Sequence, residues 1–390
     1  MDGKAKPCCD SQKYFDDINL KRKSIEGAFN SEQYKKLRVD MLSGVENEHC
    51  KACYDLEKQN ITSSRNKWNS HHTKHVDSVK SKYVNNKKFT GKVKTDFISL
   101  DLRPSNICNF KCRTCNDAFS TRWQDERTDF LKENYPVLSN GKEQVSGLNK
   151  IDFSLKEDSI ENIEVLYFAG GEPFVLEEHF DLLNSLKYKN NISLHYNTNF
   201  SILKYKGKTI YEHLKDFRKV HFSISLDAQN DLGEFIRTGF KQSVFTKNLL
   251  ELKKARALYQ NVTYDFQYTC SLLNVFNFFD FVKELEEDDD LINFHFIHYP
   301  FWYNPIHFDD IKEQIIELYT SRIDEIKSER VRAEIEKYLQ YLKMSNPSDW
   351  DKHNAVKYLK ANTLHTLVFN NVDLPDELDF IRRIIYNENV

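Results

Sequence analysis

The chain has 390 residues with 40% hydrophobic and 13% aromatic side chains, enough for a sizeable core, and 29% charged residues that balance to a net −3. That near-neutral balance excludes a global electrostatic attraction to nucleic acid or anionic lipid. The opening MDGKAKPCC has no apolar core of a leader, and no apolar run reaches membrane-spanning length, so a soluble, cytoplasmic protein without membrane partners is expected.

Residues 1–94 read as a cysteine-bearing unit: Cys8 and Cys9, a helical stretch from Ser31 to Leu42, then Cys50 and Cys53 as a C-x2-C pair. Local grouping of cysteines suits metal binding better than long-range disulfides, which also points to a reducing compartment. The four thiols are candidates for an iron–sulfur cluster, for zinc or for free thiols. From Lys51 to Lys94 eleven Lys/Arg stand against three Asp/Glu. This reads as a solvated face, with a nucleic-acid substrate left open but not favoured.

Between residues 95 and 303, strand-like runs alternate with helix-like ones. The predicted strands are Asp96 to Leu102, Ile163 to Phe168, Ile192 to Asn197, Val220 to Leu226, Val262 to Thr269 and Ile292 to His298. Helices are predicted from Leu176 to Leu186 and from Val244 to Ala257, where apolar residues recur at spacings of three and four. The stretch from Tyr135 to Asp158 reads as a polar loop. Six such units give an α/β fold, a partial (β/α)6 TIM-like barrel with its ligand rim at the strand C-termini. Residues 304–390, where Ile311 to Lys343 carries helical periodicity, form a helical extension.

Chemistry concentrates on that rim. Cys108, Cys112 and Cys115 follow the first strand as C-x3-C-x2-C and offer three thiolates to an iron–sulfur cluster that normally takes four, leaving one iron for an outside ligand; zinc is the alternative for the triplet alone. After the second strand comes Gly170-Gly171-Glu172-Pro173, in which two glycines allow close backbone approach and the glutamate supplies acceptors for an ammonium. Asn199 follows the third strand, and Ser225 and Asp227 end the fourth. Polar groups there face a ligand more often than they serve structure, with capping and turn formation as their alternative roles. Cys270 reads as a small buried hydrophobe, and the run from His295 to Tyr303 as barrel closure. The acidic run Glu284 to Asp290 reads as a solvated face.

In CNFKC-RTC (Cys108 to Cys115) and YFAGGEP (Tyr167 to Pro173), the chain resembles the radical S-adenosylmethionine enzymes. The resemblance implies a 4Fe-4S cluster on Cys108, Cys112 and Cys115 that binds the amino and carboxylate groups of S-adenosyl-L-methionine. Reduction by a donor such as flavodoxin or ferredoxin then releases a 5′-deoxyadenosyl radical that abstracts hydrogen from a substrate. It further implies that Gly170, Gly171 and Glu172 hold the methionyl amino group, that Ser225 and Asp227 lie near the ribose and methionyl part, and that Arg237 in EFIRTG pairs with the methionyl carboxylate. A salt bridge from Arg237 to Glu234 is the structural alternative. Thr114 stands where the family often has an aromatic residue. PCC, YKKLRVDMLSG, CKACYDLE and SSR look like the twitch or SPASM-like region of bacterial and phage members, where such cysteines hold an auxiliary iron–sulfur cluster. Relatives with such regions often modify peptides or proteins, which makes a peptide the first substrate class. A nucleotide, sugar or RNA is the second, and a non-enzymatic zinc-stabilised binding protein the third. No residue is assigned as catalytic acid or base.

Overall fold

The computed structural model describes residues 4–8, 11, 13–20, 22–58, 62–84, 86, 88–116, 119–123, 160–285, 287–370 and 372–386. Cys9 and the loop expected from Tyr135 to Asp158 lie outside them. The chain divides into two compact units, Met1–Ile98 with Asn149–Ile163 and Ser99–Leu148 with Glu164–Val390.

In the first unit, helices Ile25–Phe29, Glu32–Leu42 and Lys51–Lys58 surround a small core of Phe15, Ile18, Ala28 and Leu37, against which Tyr34 and Cys50 pack. Ser31 starts the second helix as expected from sequence, its hydroxyl accepting from the Tyr34 amide. Helices Ser64–His71 and Thr73–Tyr83 carry the basic stretch and bury no residue.

The second unit is built on six strands: β1 Ser99–Leu102, β2 Val165–Phe168, β3 Ser193–Thr198, β4 Lys219–Ser225, β5 Val262–Cys270 and β6 Ile292–Phe296. They lie in sequence order, and every neighbouring pair is parallel. Parallel neighbours require crossover connections, so the intervening helices stack on the sheet and all strand C-termini share one edge, as in a partial (β/α)6 barrel. Burial alternates strictly along β5. Its buried residues Phe266 and Tyr268 meet Phe245 and Phe278 of the helices Gln242–Leu258 and Phe278–Leu285 at ring-centroid distances of 6.5 and 5.0 Å. The opposite face is polar. There His221 Nε2 lies 3.0 Å from Asp265 Oδ2 and its Nδ1 2.8 Å from Thr263 Oγ1. Closed barrels fill this interior with branched apolar side chains; here it carries hydrogen-bonding groups.

The helical run expected from Ile311 to Lys343 is two helices, Asp309–Arg322 and Glu329–Met344. The break has a local cause. Ile326 is extended and buried, and Asp289 accepts hydrogen bonds from the Lys327 and Ser328 amides at 2.5 and 3.1 Å. Part of the acidic run read as solvated therefore shapes this turn. The C-terminal helices pack on the sheet unit: Tyr319 Oη donates to the Val275 carbonyl at 2.8 Å, and the Tyr338 ring packs against Phe294. Among the described residues no helix is long and apolar enough to cross a membrane.

One buried group gives the fold a pH signature. His179, 2% exposed, meets Tyr196 Oη at 3.0 Å, and burial pushes its pKa down to about 3. The folded imidazole stays neutral while the unfolded one protonates below about pH 6.5, so its contribution is complete above that pH and is lost as pH falls toward about 3. At pH 5 the loss is about 2 kcal/mol. The difference in urea midpoint between pH 7 and pH 5 is expected to shrink accordingly in His179→Gln.

Candidate functional site

The cysteine loop leaves the C-terminal end of β1 and is fastened at three places. Next to β1, Gly171 N donates to the Ser105 carbonyl at 2.9 Å and Glu172 N to the Ile107 carbonyl at 2.8 Å, so the Gly-Gly-Glu loop after β2 runs directly along the entry to Cys108. In the middle, Lys111–Cys112 pairs antiparallel with Arg237–Thr238, with Cys112 opposite Arg237. Beyond that, Trp123 Nε1 donates to the Cys112 carbonyl at 3.1 Å. The two glycines meet different demands. Gly170 has a φ of 110°, which a side chain disfavours. A Cβ on Gly171 would lie 1.9 Å from the Ile107 carbonyl oxygen.

Glu172 is 1% exposed. Its carboxylate accepts from the Asn199 amide at 2.7 Å, Thr198 Oγ1 at 2.8 Å and the Phe174 amide at 3.3 Å. Burial pushes its pKa up to about 7, against the pull of those three donors. Thus Glu172 clamps the ends of β2 and β3 together, a role shared with Thr198, which the sequence reading passed over in favour of Asn199. The hydroxyl at the strand end beside Asn199 was the available signal.

The sulfurs of Cys108 and Cys112 have side-chain donors. Asn199 Nδ2 lies 3.9 Å from Cys108 Sγ and Arg237 Nη1 3.7 Å from Cys112 Sγ. Arg237, 8% exposed, forms an ion pair with the fully buried Asp227, Nη2 to Oδ2 at 2.9 Å. The Glu234 partner considered from sequence is not used; Glu234 pairs with Lys241. Asp227 is fixed from behind, its Oδ1 accepting from the Thr269 amide at 3.0 Å. Burial works against the Arg237 charge, but Asp227 and then Cys112 outweigh it and hold the guanidinium above its usual pKa. Burial pushes the Cys108 thiol up to about 12, with Cys112 adding to the rise. Burial raises Cys112 also, with Arg237 opposing. Ser225 ends β4 half-exposed, opposite Gln267.

The remaining candidates sit elsewhere. Cys270 is buried on the helix-covered face, 3.7 Å from Tyr319 Oη. In the first unit Cys8 is exposed, Cys50 half-buried and Cys53 buried. Burial raises the Cys50 thiol, and Cys8 and Cys53 raise it further. The adjacent His49, absent from the sequence reading, is buried with its Nδ1 unpartnered.

These residues fit an iron–sulfur cluster with S-adenosylmethionine on two counts. The donor set is three thiols on one loop, and Arg237 Nε is buried without a hydrogen-bond partner beside Cys112.

No family model matches the chain, and no curated protein matches it. Solved structures with some likeness include native anSMEcpe with bound AdoMet (16% identity, TM-score 0.37, 58% of this chain and 60% of that one). Another is Streptococcus suis SuiB bound to S-adenosylmethionine (15% identity, TM-score 0.33, 74% and 59%). A third is native anSMEcpe with bound AdoMet and Cp18Cys peptide (15% identity, TM-score 0.35, 58% and 60%). The matched regions span about 60% of each of those chains, and likenesses at these scores carry no argument about activity.

Proposed function

We propose that the chain is a radical S-adenosylmethionine enzyme. The observation that carries this reading is the pair of hydrogen bonds that lays the Gly-Gly-Glu loop along the entry to Cys108, with Arg237 closing the other side of the same loop at Cys112. Cys108, Cys112 and Cys115 would hold a 4Fe-4S cluster. When bound and reduced by an external donor such as flavodoxin or ferredoxin, it supplies the one-electron cleavage of S-adenosylmethionine.

The chain's own groups do the positioning. The Gly170 to Glu172 loop would offer backbone acceptors to the methionyl ammonium, held in place by the Glu172 carboxylate, which Thr198 and the Asn199 and Phe174 amides engage. Arg237, kept charged and oriented by Asp227, would pair with the methionyl carboxylate. Asn199 and Ser225 contribute polar edges from β3 and β4. The substrate reading remains a peptide or protein, by the resemblance of the amino-terminal cysteine unit. In that unit Cys8, Cys9, Cys50 and Cys53 are the candidates for an auxiliary iron–sulfur cluster or zinc, with free thiols as the alternative. The hydrogen-bonding inner face of the sheet favours the second class, a nucleotide, sugar or RNA.

The test is anaerobic reconstitution with iron and sulfide, followed by dithionite and S-adenosylmethionine. Formation of 5′-deoxyadenosine is expected. A colourless protein with stoichiometric zinc and no deoxyadenosine would instead support the zinc-stabilised binding protein.

A further inference from the structure

We propose that Arg237, balanced by Asp227, and Asn199 set the reduction potential of the cluster by donating to two of its three cysteine sulfurs. This rests on the reading of the cysteine triplet as a cluster site. It assigns Arg237 a role that needs no S-adenosylmethionine.

The arrangement is specific to the folded loop. The backbone ladder places Arg237 opposite Cys112, and Arg113 N donates to the Ile236 carbonyl at 2.8 Å, so the guanidinium is held over the sulfur rather than reaching it by chance. Its Nη1 points at Cys112 Sγ at 3.7 Å while Nη2 holds Asp227 at 2.9 Å. Asn199 is fixed in the same manner: its amide is bound to Glu172 at 2.7 Å, and its Nδ2 is shared between Asn109 Oδ1 at 2.8 Å and Cys108 Sγ at 3.9 Å.

A ligating sulfur gains electron density when its cluster is reduced. Donors to that sulfur therefore favour the reduced form and raise the potential. A neighbouring charge acts in the same sense by its sign, and strongly where solvent is excluded. Arg237 and Asp227 are both buried, so the pair presents a donor to Cys112 with its charge nearly cancelled. A purely structural ion pair would serve as well with its ends exchanged or replaced by apolar groups. A tuning pair would not, because its two members have opposite effects. Removing Arg237 takes away the donor and leaves the Asp227 carboxylate facing the cluster, which disfavours the added electron. Neutralising Asp227 leaves the donor and uncovers the Arg237 charge, which favours it.

The test is a potentiometric titration followed by electron paramagnetic resonance of anaerobically reconstituted protein without S-adenosylmethionine, so that contact with the methionyl carboxylate plays no part. Arg237→Gln is expected to lower the midpoint and Asp227→Asn to raise it, each by about tenfold in the reduction equilibrium, about 59 mV for one electron. The double variant should fall between them, and Asn199→Ala should lower the midpoint by a smaller step. Shifts of the same sign in Arg237→Gln and Asp227→Asn would overturn the proposal. If Arg237→Gln fails to take up iron, the other two variants decide: an unchanged Asn199→Ala together with an Asp227→Asn midpoint that does not rise would overturn it. A wild-type chain that binds no iron refutes the cluster reading itself, and its metal content reveals this before any titration.

Discussion

Replacing Cys112 by alanine is expected to remove both the iron and the production of 5′-deoxyadenosine. Cys112 lies in the middle of the triplet, its backbone in the ladder with Arg237 and its carbonyl bound to Trp123, so loss of its sulfur leaves two thiols where a cluster needs at least three. The drop should exceed the about 10–100-fold typical of residues that only support a metal ligand. Cys270→Ala is the matched control. That sulfur is fully buried against Tyr319 on the helix-covered face, so its removal should cost some stability while leaving iron content and turnover in place. Iron content of the two variants, with deoxyadenosine measured by chromatography, checks both expectations.

Gly171→Ala is expected to be the most damaging substitution of a single hydrogen atom in the chain's ligand rim. Its new Cβ would meet the Ile107 carbonyl oxygen at 1.9 Å, the Ile107 carbonyl carbon at 2.5 Å and the Asn106 carbonyl carbon at 2.8 Å, all of them backbone atoms that cannot rotate away. Overpacking of this kind costs about 1–3 kcal/mol, and parting the loops also gives up the two hydrogen bonds that join them, about 1 kcal/mol each. A loss of about 3–5 kcal/mol in urea unfolding of the metal-free chain is expected, with binding of S-adenosylmethionine to the reconstituted protein lost as well. Gly207→Ala separates crowding from backbone strain. Gly207 has a φ of +82° with nothing near its would-be Cβ, so only the left-handed backbone penalty of about 1–2 kcal/mol applies.

The six strands were legible because each is a short apolar run closed by turn residues, and the positions of Ile163 to Phe168 and Val262 to Thr269 needed little adjustment. The first strand is shorter than its β-rich sequence. Phe97 packs its ring 4.9 Å from Phe29, and Asp96 accepts from Asn162, so this end of the run is committed to the first unit. The two rim motifs were legible for a different reason: cysteine spacing and paired glycines mark a loop directly, without tertiary information.

Partners across the fold were not legible. Glu234 looked available to Arg237 at helical spacing, but the helix Asn230–Ile236 ends one residue earlier. Arg237 then takes a non-helical conformation, with φ −116° and ψ 72°, that carries it to the cysteine loop and to Asp227. No local pattern encodes that turn. Likewise, Thr198 and Glu172 are separated by 26 residues and meet only because β2 and β3 are neighbours in the sheet. The division of the C-terminal helical run depended on Asp289, whose capping of residues 327 and 328 is a contact across 38 positions.

The cysteine triplet and the Gly-Gly-Glu loop are proposed to grasp one small molecule together. Electron–nuclear double resonance of the reduced, reconstituted protein, with S-adenosylmethionine isotopically labelled in its amino nitrogen and carboxylate oxygen, tests this. Hyperfine coupling of both labels to the cluster is expected, as is its absence in Gly171→Ala. A cluster whose spectrum is unchanged by S-adenosylmethionine, with no coupling to either label, would contradict it.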